Sequence, residues 1–218
     1  MSENLLKQEK LVFNIVQEYL NKNRSFNAHN IISFINSRVA GTSINLNNSG
    51  IKVILNSLLK KNLIVERSKL TKENILLNSN RNKIYGFIKN NPGVHFNKLF
   101  KKLNLSIAVV EWHLNILSKF KFIKKEKIDN FEAYFEISVD SRQGKIIHII
   151  SREKYRKIIE YLKNKVEGCT RNQICKDLGI HPITIAKYIN KLDEFCFLFK
   201  EKISNKTLYF LKEEYYNI

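Results

Sequence analysis

Two stretches of this chain repeat one another at a constant spacing, and that repetition limits what the chain can fold into. Leu99, Leu103, Val110, Leu114, Leu117, Phe122 and Ile123 match Ile174, Leu178, Ile185, Ile189, Leu192, Phe197 and Leu198, each 75 residues further on. A copy of the later part precedes both: Ile51, Leu55, Leu58, Leu63 and Ile64 lie 59 residues before their counterparts. Apolar positions kept at fixed offsets mark the buried side of one repeated structural unit. The early part of the first copy does not align, because Ile35 to Ile51 spans 16 positions where Leu103 to Val110 spans 7.

The central copy shows what the unit is. Phe96, Leu99, Phe100 and Leu103 follow a helical rhythm, Asn104-Leu105-Ser106 breaks it, and Ile107, Val110, Leu114 and Leu117 resume it. Spacings of three and four place each set on one helix face. Ser106 suits the N-cap of the second helix, while Glu111 comes too late to close a capping box with it. Two short helices at a tight turn form a helix-turn-helix. Phe122–Ile128 and Phe131–Ile137 then read as two strands around Asp129-Asn130, an Asx-type hairpin turn. Helix, helix-turn-helix and hairpin together make a winged helix.

The same reading extends to both sides. In the last copy, Ser151–Val166, Thr170–Leu178 and Pro182–Leu192 are predicted helices, with Pro182 suited to a first helical position. Phe197–Ile203 and Thr207–Leu211 form its hairpin around Ser204-Asn205-Lys206. In the first copy, predicted helices cover Gln8–Leu20, Asn27–Val39 and a segment capped by Asn48 or Ser49. Leu63–Val65 and Asn74–Leu77 are expected wing strands. Ser138–Gly144 reads as a linker, and Lys145–Ile150 as a short strand or part of a longer helix. The expected fold is mainly α with small β-hairpin wings (α+β), as tandem winged helix-turn-helix domains over 1–78, 79–140 and 141–218.

Residues 80 to 137 resemble the archaeal winged-helix transcriptional regulators related to the ArsR and MarR groups. The likeness rests on Arg81, Ile84, Ile88, Asn91-Pro92-Gly93, Ser106, Val110, Trp112 in place of a tyrosine, His113-Leu114 and Leu117. The sequence departs from that pattern at Ala108, which replaces a glycine, and at Val109, which replaces a threonine whose hydroxyl meets a phosphate. The resemblance implies a winged helix that contacts DNA.

Charge points the same way. The chain has 218 residues and a net charge of +18, which favours polyanionic partners, nucleic acid first and an anionic membrane surface second. Basic residues outnumber acidic ones 11 to 5 over 1–78, 11 to 6 over 79–140 and 16 to 9 over 141–218, so the charge is not confined to one arm. Abundant Lys, Asn and Ile also fit an A·T-rich genome. With 44% hydrophobic residues, packed cores are expected rather than a disordered tail.

The candidate DNA contacts lie off the core face of each second helix and on the wings. In the central copy these are Ser106, Val109, Trp112 and Asn115, beside Ala108 and Glu111, with wing residues Lys124, Lys125 and Lys127. In the last copy they are His181, Thr184, Lys187, Tyr188 and Lys191, with wing residues Lys200, Lys202 and Lys206. Thr184 and Tyr188 can hydrogen-bond phosphates, lysines neutralise them, and Asn115 has the geometry to pair with adenine. Glu111 opposes phosphate contact. In the first copy, Asn47, Asn48, Lys52, Asn56 and Lys60 hold the equivalent face.

Other classes find little support. There is no glycine-rich phosphate loop, nucleophile elbow or paired-carboxylate motif, so no enzyme and no cofactor is expected. Cys169, Cys175 and His181 are six apart, unlike the close cysteine pairs of zinc sites, and Cys175 reads as a core residue. His95 reads as a turn residue and His113 as a helix-surface donor. No run of 18 apolar residues and no secretory leader is apparent, and the three cysteines suit a reducing compartment, so a cytoplasmic protein without membrane insertion is expected. The partner is then double-stranded DNA, with a homodimer or a transcription-machinery protein at the degenerate first copy. The rival expectation is a tandem winged-helix scaffold that binds protein, of the ESCRT-II kind, which Val109, Glu111 and Trp112 would suit.

Overall fold

The computed structural model describes residues 5–128 and 131–216, and the chain divides after Val139 into two compact units. The first unit runs α1 (Lys7–Lys22), α2 (Ile32–Val39), α3 (Asn48–Lys60), a 3-10 helix (Lys72–Leu77), α4 (Ser79–Asn90), β1 (Val94–His95), α5 (Phe96–Leu103), α6 (Ile107–Lys119), β2 (Ile123–Ile128) and β3 (Phe131–Glu136). The second runs α7 (Ser141–Ile150), α8 (Glu153–Lys163), α9 (Arg171–Leu178), α10 (Pro182–Glu194), β4 (Leu198–Ile203), β5 (Lys206–Leu211) and a 3-10 turn (Glu213–Tyr215). The mainly helical fold with small antiparallel wings is the expected one. The hairpin turn read at Asp129-Asn130 lies outside the described residues.

The repeat is visible in the backbone. Helices α3, α6 and α10 each have 13 residues. Their N-caps, Asn47, Ser106 and His181, keep the sequence offsets of 59 and 75, and each accepts a first-turn N–H, from Gly50, Val109 and Ile183. Their far ends close alike. Asn62, Lys121 and Cys196 turn to φ of 53°, 54° and 62°. The next N–H then reaches back to the helix: Leu63 to Leu58 O (3.0 Å), Phe122 to Leu117 O (2.9 Å) and Phe197 to Leu192 O (2.9 Å). This is the Schellman closure, in which a left-handed residue lets the chain reverse and satisfies the last carbonyls. The tight turns of the central and last helix-turn-helix use the same device, with Asn104 (φ 51°) after α5 and Gly179 (φ 62°) after α9.

The apolar stripes predicted from spacing are the cores. Val12, Phe13, Val16, Ile35, Ile51, Leu55 and Leu58 pack together in the first copy. Ile84, Ile88, Leu99, Val110, Leu114, Leu117 and Phe122 do so in the central one, and Tyr155, Ile158, Ile174, Ile185, Ile189 and Leu192 in the last. The central sheet is antiparallel in the order β1-β3-β2, with Val94 opposite Tyr134 and Tyr134 opposite Lys125. In the last copy β4 pairs with β5, and Cys169 forms a bridge to Tyr209 where β1 would lie.

The first copy departs from expectation after α3. The wing strands read at Leu63–Val65 and Asn74–Leu77 reduce to one bridge, Ile64 to Thr71. Residues 72–77 instead coil into the 3-10 helix, because Ile75 buries itself in the central core beside Ile84. The cap of α3 is Asn47, one or two positions before the expected Asn48 or Ser49. Ser141–Gly144, read as linker, begins a helix that continues through Ile150: Asp140 caps it by accepting from the Arg142 and Gln143 N–H groups.

Truncating Leu117, fully buried in the central core, is expected to cost about 2–5 kcal/mol of stability. Urea denaturation of Leu117→Ala followed by the emission of Trp112, the only tryptophan, measures this.

Candidate nucleic-acid interface

Because α6 and α10 turn one stripe inward, the remaining residues face out in a fixed order. On α6, Ser106, Ala108, Glu111, Trp112 and Asn115 are exposed and Val109 is half-buried. On α10, His181 and Lys187 are exposed, while Thr184, Tyr188 and Lys191 are half-buried. Two candidates are partly committed to structure. His181 spends its Nδ1 as the cap acceptor of α10, and Tyr188 sets its ring edge-on to Tyr155 at 4.5 Å.

The wing lysines divide by their partners. Lys124 pairs with Glu126 and Lys125 with Glu132, both at 2.8 Å. The hydrogen bond to Glu132 also raises the Lys125 pKa. Lys200 pairs with Asp193, and Lys191 with Glu194 at 3.1 Å. Lys127, Lys187, Lys202 and Lys206 are exposed and meet no carboxylate among the described residues. The exposed Lys125–Glu132 pair is weak and yields to a phosphate at modest cost, whereas Lys124–Glu126 is half-buried and held more firmly. The four lysines without a carboxylate among the described residues need no partner displaced. Three of them belong to the last copy.

Between α6 and the wing lies a groove of about 580 Å³, with Ile107, Leu114 and Tyr134 among its apolar residues and Glu111, Glu132, Lys121, Lys124 and Lys125 charged. A second groove, about 490 Å³, opens between the N-terminus of α9 and the turn of the last wing, with Arg171, Asn172, Lys206 and Thr207 on its walls. Arg171 escaped the sequence reading. Its Nη2 donates to Asn190 on α10 (2.8 Å) and its guanidinium lies over the Tyr209 ring (5.3 Å). The signal available was its position, directly after the Thr170 capping box that starts α9.

His113 corrects another expectation. It is not a surface donor but 3% exposed, inside the α4–α6 junction. Its counterpart at the 75-residue offset is Tyr188, which shows that this helix position points inward. Beside it Arg81, from the first turn of α4, is 4% exposed. Its guanidinium lies 5.6 Å from the ring centre of Trp112, which is 55% exposed. Burial, and then the charge of Arg81, pushes the His113 pKa down. The thiol of buried Cys169 is pushed up to about 11, chiefly by burial, and among the described residues no group of three or more His, Cys, Asp or Glu side chains is placed to hold a metal ion. Among the described residues no helix is long and apolar enough to cross a membrane.

Comparisons with known proteins agree with the helix-turn-helix. The family described as HTH_HVO_0163_N, N-terminal HTH domain, matches residues 78–146. The chain is 31% identical over 144 residues to the "Uncharacterized HTH-type transcriptional regulator MJ1398" of Methanocaldococcus jannaschii, across 66% of this chain and 36% of that protein. The chain thus spans about a third of the length of the curated relative it matches. Two structures of the ESCRT-II endosomal trafficking complex align over 97% of this chain and over 97% and 91% of theirs. Both alignments are at 13% identity, with TM-scores of 0.26 and 0.24, too low to carry an argument. The fold and the matched region define a helix-turn-helix protein similar to transcriptional regulators.

His113 predicts a pH dependence. Its folded pKa lies below the ordinary 6.5, so the stability due to the neutral ring is complete above pH 6.5 and is lost as pH falls from there toward the folded pKa. The denaturation midpoint should therefore drop between pH 7.5 and 5.5, less steeply in His113→Gln. Equal slopes would contradict this.

Proposed function

We propose that this chain is a DNA-binding transcriptional regulator of three consecutive winged-helix modules, residues 1–78, 79–140 and 141–218. The recognition helices α6 and α10 would enter major grooves, and the wings would lie on the phosphate backbone. The first module, with its reduced wing, would serve a homodimer contact or a transcription-machinery partner. In this reading the chain is a non-enzymatic cytoplasmic protein without a cofactor, akin to the archaeal ArsR/MarR-like regulators.

One observation carries the reading furthest. The outward side of α10 and its wing present Lys187, Lys202 and Lys206 without a carboxylate partner among the described residues, on a chain of net charge +18. The helix-turn-helix match over residues 78–146 and the regulator relative support it. Thr184 and Lys191 flank the same helix face. In the central module, Ser106, Val109 and Asn115 would face the bases with Trp112 beside them on the DNA side, and Lys127 would offer the readiest wing contact, with Lys124 and Lys125 available once released from Glu126 and Glu132. Protein scaffolding, the rival reading, draws on Val109, Glu111 and Trp112 of α6 and on the exposed apolar Ile107 of α6 and Ile183 of α10.

The test is fluorescence anisotropy on duplex DNA over a range of salt. Lys187→Ala and Lys202→Ala should each lower the log-log salt slope by about one. Lys200→Ala, which removes a paired cation, should change it less. No binding by the wild type even at low salt would overturn the DNA reading in favour of a protein partner.

A further inference from the structure

We propose that Arg81 is a phosphate ligand held beneath Trp112, at the junction of α4 and α6, and engaged when the Trp112 ring moves aside for the DNA backbone. The proposal rests on the DNA-binding reading above and adds to it a contact site outside the recognition helix and the wings.

Arg81 is buried, and its Nε and Nη1 meet no hydrogen-bond acceptor among the described residues. A guanidinium stays ionised in proteins and carries five donors that match a phosphate or carboxylate fork. A buried charge without a counter-ion is strongly unfavourable, so native proteins pair it. Here the neighbours offer little. His113 has its own Nδ1 unpartnered and is held neutral, and the Trp112 face attracts a cation only modestly. The guanidinium therefore lacks one anion.

The fold does not require a cation here. In the last copy the equivalent junction is closed by the Tyr155–Tyr188 pair, Tyr188 standing where His113 stands in the central copy. Location supplies the direction. Arg81 sits in the first turn of the twelve-residue α4, whose N-terminus favours an anion. Trp112, whose ring lies against the guanidinium, is half-exposed on the outward side of α6, next to Ala108 and Asn115. A polyanion arriving at that side meets the ring first and, once the ring swings away, a guanidinium able to bind phosphate through two N–H groups.

The experiment uses the full chain and a DNA duplex, with Trp112 as the sole tryptophan reporter. Arg81→Met keeps the bulk and removes the charge; Arg81→Lys keeps the charge and removes the fork. Arg81→Met should bind duplex about tenfold or more weakly, with a salt slope lower by about one. Its unfolding temperature without DNA should be unchanged or raised. Arg81→Lys should fall between, and duplex should shift the wild-type Trp112 emission. Wild-type affinity and slope in Arg81→Met would overturn the proposal and leave the DNA reading standing. So would a lower unfolding temperature with affinity unchanged per folded molecule. A wild type silent toward DNA at low salt would remove the DNA reading, and this proposal with it.

Discussion

The closure at the end of each thirteen-residue helix, in which a left-handed residue reverses the chain and the next N–H returns to a carbonyl five residues back, is the constraint from which the rest follows. It fixes where α3, α6 and α10 stop, and the caps at Asn47, Ser106 and His181 fix where they start. With both ends set, the inner stripe can meet the core in only one rotation, and the outward face is determined with it. Leu58, Leu117 and Leu192, whose carbonyls accept those N–H groups, are also fully buried core residues. Local closure and tertiary packing therefore reinforce one another, the consistency expected of a sequence that specifies one structure.

Much of this was readable because periodicity and repetition report burial. The constant offset of 75 placed α9, α10 and the last wing as firmly as the central ones, since one apolar pattern had to serve both copies. What escaped was set by contacts distant in sequence. Ile75 has the apolar neighbours of a strand, yet it coils because the central core offers it a buried place. His113 reads as a surface donor from its polarity, and its counterpart Tyr188 reads as an outward phosphate donor for the same reason; the burial of the one and the packing of the other against Tyr155 come from helices distant in sequence. The candidate DNA residues were legible as a face, but their pairing was not: the carboxylates opposite Lys125 and Lys200 come from another strand and from a preceding helix.

The two helix-turn-helix copies consequently differ in kind. The last offers unpaired lysines on a recognition helix and wing, suited to sequence-independent attraction and backbone positioning. The central copy mixes both charges on its outward side, with Glu111 beside a groove that also holds Glu132, Lys121, Lys124 and Lys125, and keeps a buried guanidinium next to its exposed tryptophan. In the proposed reading the last copy would supply affinity by display and the central copy would hold a cation in reserve, a division that a count of basic residues would not show.

A transcriptional regulator of the proposed kind reads sequence rather than merely attracting a polyanion, and one titration separates the two. The full chain is titrated against the duplex upstream of its own gene and against a scrambled duplex of the same length and composition, near physiological salt. Tighter binding to the upstream duplex that persists at that salt is the predicted result. Equal binding to both, collapsing together as salt rises, would contradict it and leave only charge.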